Sequence, residues 1–144
     1  MDLVIEKAGP DDADAIFGLL ARDRLPPDGL REHLDTTIVA RRTGEVVGVA
    51  AIEVYRDGVL MRSVAVAPEL QGQGVGRRLI DAALQVARDR HAPSAYLLTT
   101  TAERYFPKFG FERIERTEVP ASVQASIEFT SACPSSATVM RKPL

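Results

Sequence analysis

The segment Val64-Ala65-Val66-Ala67-Pro68-Glu69-Leu70-Gln71-Gly72-Gln73-Gly74-Val75-Gly76-Arg77-Arg78 decides how the rest of the chain is read. A strand runs into a turn with glycines at alternate positions, and a helix with the apolar stripe Leu79, Ile80, Ala83, Leu84 and Ala87 begins at once. Glycine adopts positive φ at little cost, so successive amides in such a turn can point into one concavity. The helix start adds unpaired N–H groups and the positive end of its dipole. Together these make an anion site, for which a pyrophosphate is the natural guest. Two commoner phosphate loops do not fit. The dinucleotide fingerprint needs a third glycine where Arg77 stands, and the Walker loop needs a lysine there followed by Ser or Thr. The plain alternative is that the glycines only tighten a strand–helix turn.

Working outward, Leu3 to Lys7 alternates as a strand does, and Gly9-Pro10-Asp11-Asp12 opens a helix carrying Ala15, Ile16, Leu19 and Leu20. Leu25-Pro26-Pro27-Asp28 breaks it and starts a short second helix through His33. Thr36 to Arg41 and Glu45 to Tyr55 read as strands joined at Thr43-Gly44, and Arg56-Asp57-Gly58 is a hairpin signal with Val59 to Val66 returning. After the glycine turn and its helix, Ala95 to Thr99 is a strand, Thr101 to Lys108 a short helix and Phe111 to Ile114 another strand. Val123 and Ile127 fall on one helical face, Cys133-Pro134-Ser135-Ser136 is a loop, and Ala137 to Arg141 is the last strand. No repeat or linker divides the chain, which predicts a single α/β domain over residues 1–144.

Composition narrows the function. With 144 residues there is room for one core. A net charge of −2 lacks the footprint of a nucleic-acid binder. The longest apolar stretch, Val46 to Ile52, is too short to cross a bilayer, and no basic, greasy leader stands at the start. One cysteine, Cys133, and two isolated histidines, His33 and His91, supply neither a disulfide nor metal-ligand spacing. These features predict a cytoplasmic protein without a metal, a nucleic acid or a membrane as partner.

At Gln71-Gly72-Gln73-Gly74-Val75-Gly76 the chain resembles the acyl-CoA loop of the GNAT N-acetyltransferases, Gln/Arg-x-x-Gly-x-Gly/Ala. Ala102-Glu103-Arg104-Tyr105-Phe106-Pro107-Lys108-Phe109-Gly110-Phe111 is similar to the family's second signature, a short helix ending in Gly-Phe. The resemblance implies a mixed central sheet with helices on both faces and acetyl-CoA as co-substrate. The cofactor would lie where two parallel strands, Val59–Val66 and Ala95–Thr99, splay apart. Main chain at Val64, Ala65 and Val66 would hold pantetheine, amides from Gln71 through Gly72, Gln73, Gly74, Val75 and Gly76 to Arg77 would hold pyrophosphate, and Thr99 and Thr100 would line the cleft. Arg77 and Arg78 would reach CoA phosphates. It also leaves a homodimer open.

A narrower likeness, to the arsenic-resistance N-acetyltransferases of bacterial arsenic operons, is carried by Leu25–Leu30, Leu60–Val66, Leu97–Ala102 and Glu128-Phe129 with Cys133–Ala137. It implies detoxifying acetylation of a small amine. Direct arsenite capture is chemically poor, since a thiophilic centre wants several thiolates.

The chain departs from the family's catalytic pattern. The strand Val59–Val66 lacks the glutamate base that many members carry, and the position of the usual tyrosine acid is Phe106, with Tyr105 beside it. Loss of a base costs roughly 10²–10⁴ in rate. An α-amine of pKa about 8 is partly neutral near pH 7.4, whereas a lysine amine near 10.4 is about 200-fold less so, which favours an α-amino acceptor. If Asp57-Gly58 is a two-residue turn, Glu53 falls opposite Arg62. In the cleft Arg62 would grip a substrate carboxylate, with Tyr55 and Thr100 as further acceptor contacts, and Glu53 would relay the amine proton. Otherwise the pair is a structural ion pair. Tyr105 is the candidate acid. His33 reads as a solvated side chain, Glu128 and Cys133 close the cleft, and Cys133 is a packing residue. The leading reading is acetyl transfer to a small primary amine. An acyl-CoA sensor without chemistry and a peptide or protein acetyltransferase are the alternatives.

Overall fold

The computed structural model describes residues 3–144; Met1 and Asp2, the first positions of the expected domain, lie outside the described residues. Strands are β1 Leu3–Lys7, β2 Thr37–Arg42, β3 Glu45–Tyr55, β4 Gly58–Val66, β5 Ser94–Thr99, β6 Glu112–Ile114 and β7 Thr138–Pro143. Helices are α1 Ala13–Arg22, α2 Val75–Asp89 and the four-residue α3 Ala121–Gln124. The strands form one mixed sheet in the order β1-β2-β3-β4-β5-β7-β6. Every residue of β3 from Val47 to Glu53 is buried. Neighbouring side chains on a strand point to opposite faces, so both faces of the sheet are covered there. Helix α1 covers β3 and β4 with Ile16, Leu19 and Leu20, and α2 covers β2, β3 and β4 with the stripe Leu79, Ile80, Ala83, Leu84 and Ala87. Each fully buried Leu or Ile contributes about 1.5–3 kcal/mol by leaving water.

What positions the site is the seam between β4 and β5. These parallel neighbours pair only at Val59↔Ala95 and Leu60↔Tyr96, and beyond that point they part. Just after the parting, β4 carries a bulge: Arg62 pairs with Ala51 and Ala65 with Val49, so Ser63 and Val64 together face Ala50. Ser63 has φ 60°, the left-handed conformation that a non-glycine residue rarely takes.

Several expectations are corrected. The hairpin pairs Tyr55 with Gly58, so its turn is Arg56-Asp57 rather than Asp57-Gly58. Gly58 belongs to the strand for packing: a Cβ there would stand 2.9 Å from Tyr96 Cε2 and 3.0 Å from the Ser94 carbonyl oxygen. Glu53 is therefore opposite Leu60, not Arg62. The slip is two residues, an even number, so Glu53 and Arg62 still share a face as diagonal neighbours. The helix expected over Thr101–Lys108 is only a 3₁₀ turn, Phe106–Phe109. Pro107 has no N–H to bond back a full turn, and Thr99 Oγ1 instead takes the Ala102 N–H at 2.9 Å. The second helix is likewise 3₁₀, Leu30–Thr36, kinked at His33. Val123 and Ile127 do not share one helix, because α3 stops at Gln124.

The start of α1 is tied to the sheet by Asp12. Its carboxylate accepts two bonds from Arg41 at 2.8 Å and one from the Gly9 N–H at 2.7 Å. Those bonds, Arg41 first, hold its carboxyl down from 3.8 to about 2. A depressed carboxyl adds stability that is present above the ordinary value and lost as pH falls through the folded one. Asp12→Asn is expected to cost about 1.5–3 kcal/mol in urea unfolding at pH 7. The gap from wild type should close as pH falls toward 2, and an Asn variant of unchanged stability at pH 7 would refute the tie.

Candidate active site

From Val66 the chain passes through the 3₁₀ turn Pro68–Leu70 into α2, whose N-cap is Gly74 at φ 84°. No side chain caps that first turn, which leaves its leading amides to point outward. Val64, Ala65, Val66, Gln71 and Gly72 line a cavity of about 560 Å³ against Gly74, Gly76 and Arg77. Its far wall is Tyr105, Lys108 and Phe109, and the Arg77 guanidinium sits 4.9 Å over the Phe109 ring. Two residues of the quoted loop bring no side chain to it. Val75 turns into the core at 1% exposure, and Gln73 Nε2 donates to the Glu69 carbonyl at 3.2 Å. Gly76 is required by its neighbour, since a Cβ there would come 2.8 Å from the Tyr105 hydroxyl. Arg78 is exposed and does not line the cavity.

At Val64 and Tyr105 this cavity meets a cleft of about 420 Å³ between the parted β4 and β5. Met61, Arg62, Ser63, Thr99 and Thr100 line it, closed by Glu128 and Cys133. Tyr105 thus stands at the junction, while Phe106 is largely buried and stacks edge-on against Phe111. Burial pushes the Tyr105 hydroxyl up, against the nearby Arg77 charge, so it carries its proton at neutral pH.

The Arg62 guanidinium has no exposed surface. Nε donates to Ser63 Oγ at 3.0 Å, Nη1 to Glu53 Oε2 at 2.8 Å and to the Asp28 carbonyl at 2.6 Å, and Nη2 to the Pro26 carbonyl at 2.8 Å. The grip on a substrate carboxylate expected of Arg62 is thus directed at the protein's own oxygens. Glu53 is equally occupied: Tyr55 and Ser126 each donate to Oε1 at 2.5 Å. Burial raises its carboxyl, but donation by Ser126, Tyr55 and Arg62 with the Arg62 charge brings it below the usual 4.5. Tyr55 is pushed up to about 12 by burial and its bond to Glu53. Neither lines the cleft. Glu53 and Tyr55 line a separate hollow with His33, whose Nε2 is 4.0 Å from Glu53 Oε2. The proton relay and acceptor contact expected of Glu53 and Tyr55 lie on the wrong side of Arg62. Ser126, buried and essential to this network, was missed, and nothing local in the sequence signals it.

Glu128 is buried on the cleft, and burial raises its carboxyl above 4.5 although Arg62 Nη2 lies 3.6 Å away. The Cys133 thiol beside it is pushed up to about 12 by burial and by the Glu128 charge.

A family model described as acetyltransferase (GNAT) domain matches residues 33–113. An amino-acid acetyltransferase from Mycobacterium tuberculosis is 42% identical over 81 residues, which are 56% of this chain and 46% of that protein. The chain therefore spans about half the length of that curated relative. Among solved structures, Rv2747 from Mycobacterium tuberculosis in complex with CoA and NLQ superposes with a TM-score of 0.83 at 28% identity, covering 98% of this chain and 99% of the other. The N-acetylglutamate synthase from Neisseria gonorrhoeae complexed with coenzyme A and N-acetyl-glutamate shares the fold at a TM-score of 0.85 and 20% identity, over 100% of this chain and 35% of that one.

The Arg62 cluster makes a direct prediction. Removing one partner of a buried pair leaves an uncompensated charge and typically costs about 3–5 kcal/mol. Arg62→Ala is expected to lose that much in urea unfolding at pH 7. Glu53 has a depressed carboxyl, so its contribution to the wild type is present above 4.5 and fades as pH falls through the folded value. The Arg62→Ala deficit should shrink in the same range, because protonation removes the stranded charge. A pH-independent loss under about 1 kcal/mol would overturn the account.

Proposed function

Since the chain belongs to the GNAT acetyltransferase family, we propose that it moves acetyl from acetyl-CoA directly to the primary amine of a small molecule. One observation carries this reading: the cavity at the glycine turn opens, at Val64 and Tyr105, into the cleft between β4 and β5. A long, forked substrate fits that shape. Pyrophosphate rests on the amides from Gln71 to Arg77, where unpaired N–H groups and the α2 dipole favour negative charge. The β4 edge at Val64, Ala65 and Val66 has no β5 pairing, so its backbone groups can pair with the amides of pantetheine as a strand would, the Val66 carbonyl by exchanging the bond it accepts from Gln71 Nε2 at 3.1 Å. The thioester then lies at the junction and the amine enters along Thr99 and Thr100.

Tyr105 serves as the acid for the leaving thiolate, its proton retained by burial. Glu53 and Tyr55 act at one remove by fixing Arg62 and, through it, the bulge at Ser63. Cys133 plays no covalent part. A thiol held near 12 is almost entirely protonated, and only a thiolate attacks. Both substrates are held together, so proximity supplies much of the rate. The likeness to an amino-acid acetyltransferase supports an amino acid as acceptor. The stretches similar to the arsenic-resistance branch support a toxic amino acid analogue.

Two measurements test this. Acetyl-CoA should raise the melting temperature of the wild type, and Gly74→Glu should abolish the shift by putting a strained backbone and a negative charge at the anion site. A mutant of wild-type affinity would displace the loop assignment. CoA release should also be screened over amino acids, phosphinic and arsinic amino acid analogues, polyamines and lysine-containing peptides. The α-amino compounds are expected to lead. Silence across all of them would leave a binder of acyl-CoA rather than a catalyst.

A further inference from the structure

The geometry points to Glu128 as the carboxylate that receives the acceptor's ammonium group and takes its proton, an assignment that rests on the acetyl-transfer reading above. The strand β4 has no carboxylate, and Glu53 lines the far side of Arg62. Among the described residues two carboxylates line the cleft, Asp23 and Glu128. Asp23 is exposed and belongs equally to the cavity at the glycine turn. Glu128 is 4% exposed and stands on the β5-parted side of Arg62, on a π-helical turn, Glu128–Ala132.

Glu53 and Glu128 share one guanidinium unequally. Glu53 takes a direct bond at 2.8 Å and two hydroxyl donors besides. Glu128 is 3.6 Å from Nη2, whose hydrogen bond goes to the Pro26 carbonyl, and its side chain meets only the weak donor of Cys133. Its lone pairs are thus open to a proton. The charged and titratable groups around it are Arg62 from β4, Glu53 from β3, Asp28 from the segment before the first long 3₁₀ turn, and Cys133 from its own loop. Burial and the two negative neighbours raise its carboxyl against the opposing charge of Arg62, which makes it a better base than a carboxylate in water.

Glu128 takes one proton from the ammonium, and the freed nitrogen lone pair attacks the thioester carbonyl carbon. The C–N bond forms and the C–S bond breaks. Tyr105 delivers a proton to the departing sulfur and regains one from the nitrogen, and Glu128 returns its own proton to solvent.

The test is Glu128→Gln, with Glu128→Asp beside it, assayed with acetyl-CoA and the amino acid of fastest thiol release in the screen above. Wild-type kcat/KM should be flat between the Glu128 pKa and that of the amine. In Glu128→Gln only neutral amine reacts, so kcat/KM should be about 10²–10⁴ lower at pH 6 and climb about tenfold per pH unit toward the amine's pKa. Glu128→Asp should keep part of the plateau. A raised carboxyl contributes stability below 4.5 that is lost as pH rises through its folded value, so Glu128→Gln should be at least as stable as the wild type at pH 8. A wild-type-shaped profile in Glu128→Gln, or a loss of stability at pH 8, overturns the assignment while acetyl transfer stands. A wild type that releases no thiol with any amine overturns both.

Discussion

One buried guanidinium organises the molecule. Taking Arg62 out of water costs several kcal/mol, which its hydrogen bonds must offset. Those bonds reach three pieces of chain, Glu53 on β3, the carbonyls of Pro26 and Asp28, and Ser63 on the bulge, and Glu128 stands 3.6 Å from the same guanidinium. Ser63 is the residue with left-handed backbone, so the bond from Arg62 Nε to its hydroxyl bears on the position where β4 turns away from β5. The cleft exists with its present walls because this cation is satisfied in several directions at once.

The same cation divides two glutamates into two kinds. Glu53 has direct donors on both oxygens and sits with no exposed surface, which suits a group whose charge is to be kept. Glu128 has the cation near it but not bonded to it, in an equally dry place. Environment alone separates them, since the side chains are identical. Where two carboxyls are pushed apart in this way, one is suited to hold structure and the other to exchange protons.

The parts of this arrangement that were legible in the sequence are local ones. The stripe of α2 and the glycines before it are contiguous, and the 3.6-residue period and the alternate glycines carry their own meaning. The two parallel strands were implied by the family resemblance that those glycines carry, not by any local pattern. The hairpin register did not, because Gly58 resembles a turn glycine while the pressure that demands it comes from Tyr96 on β5. Nor did the placing of Tyr105 and Phe106, because a 3₁₀ turn stands where a helix was expected: both line the cleft, and Tyr105 alone of the two also lines the cavity at the glycine turn. Ser126 lies 73 residues from the carboxylate it serves, a separation that no local pattern spans.

The narrow seam has a mechanical consequence. The half of the sheet from β1 to β4 is joined to the half formed by β5, β7 and β6 through only two paired positions, at Val59 and Leu60. From Met61 to Val66 the outward-facing amides of β4 have no β5 partner, although they lie in the middle of the sheet. A molecule that pairs with them completes the sheet and stitches its halves together. Hydrogen–deuterium exchange along this one strand is then a direct readout of occupancy.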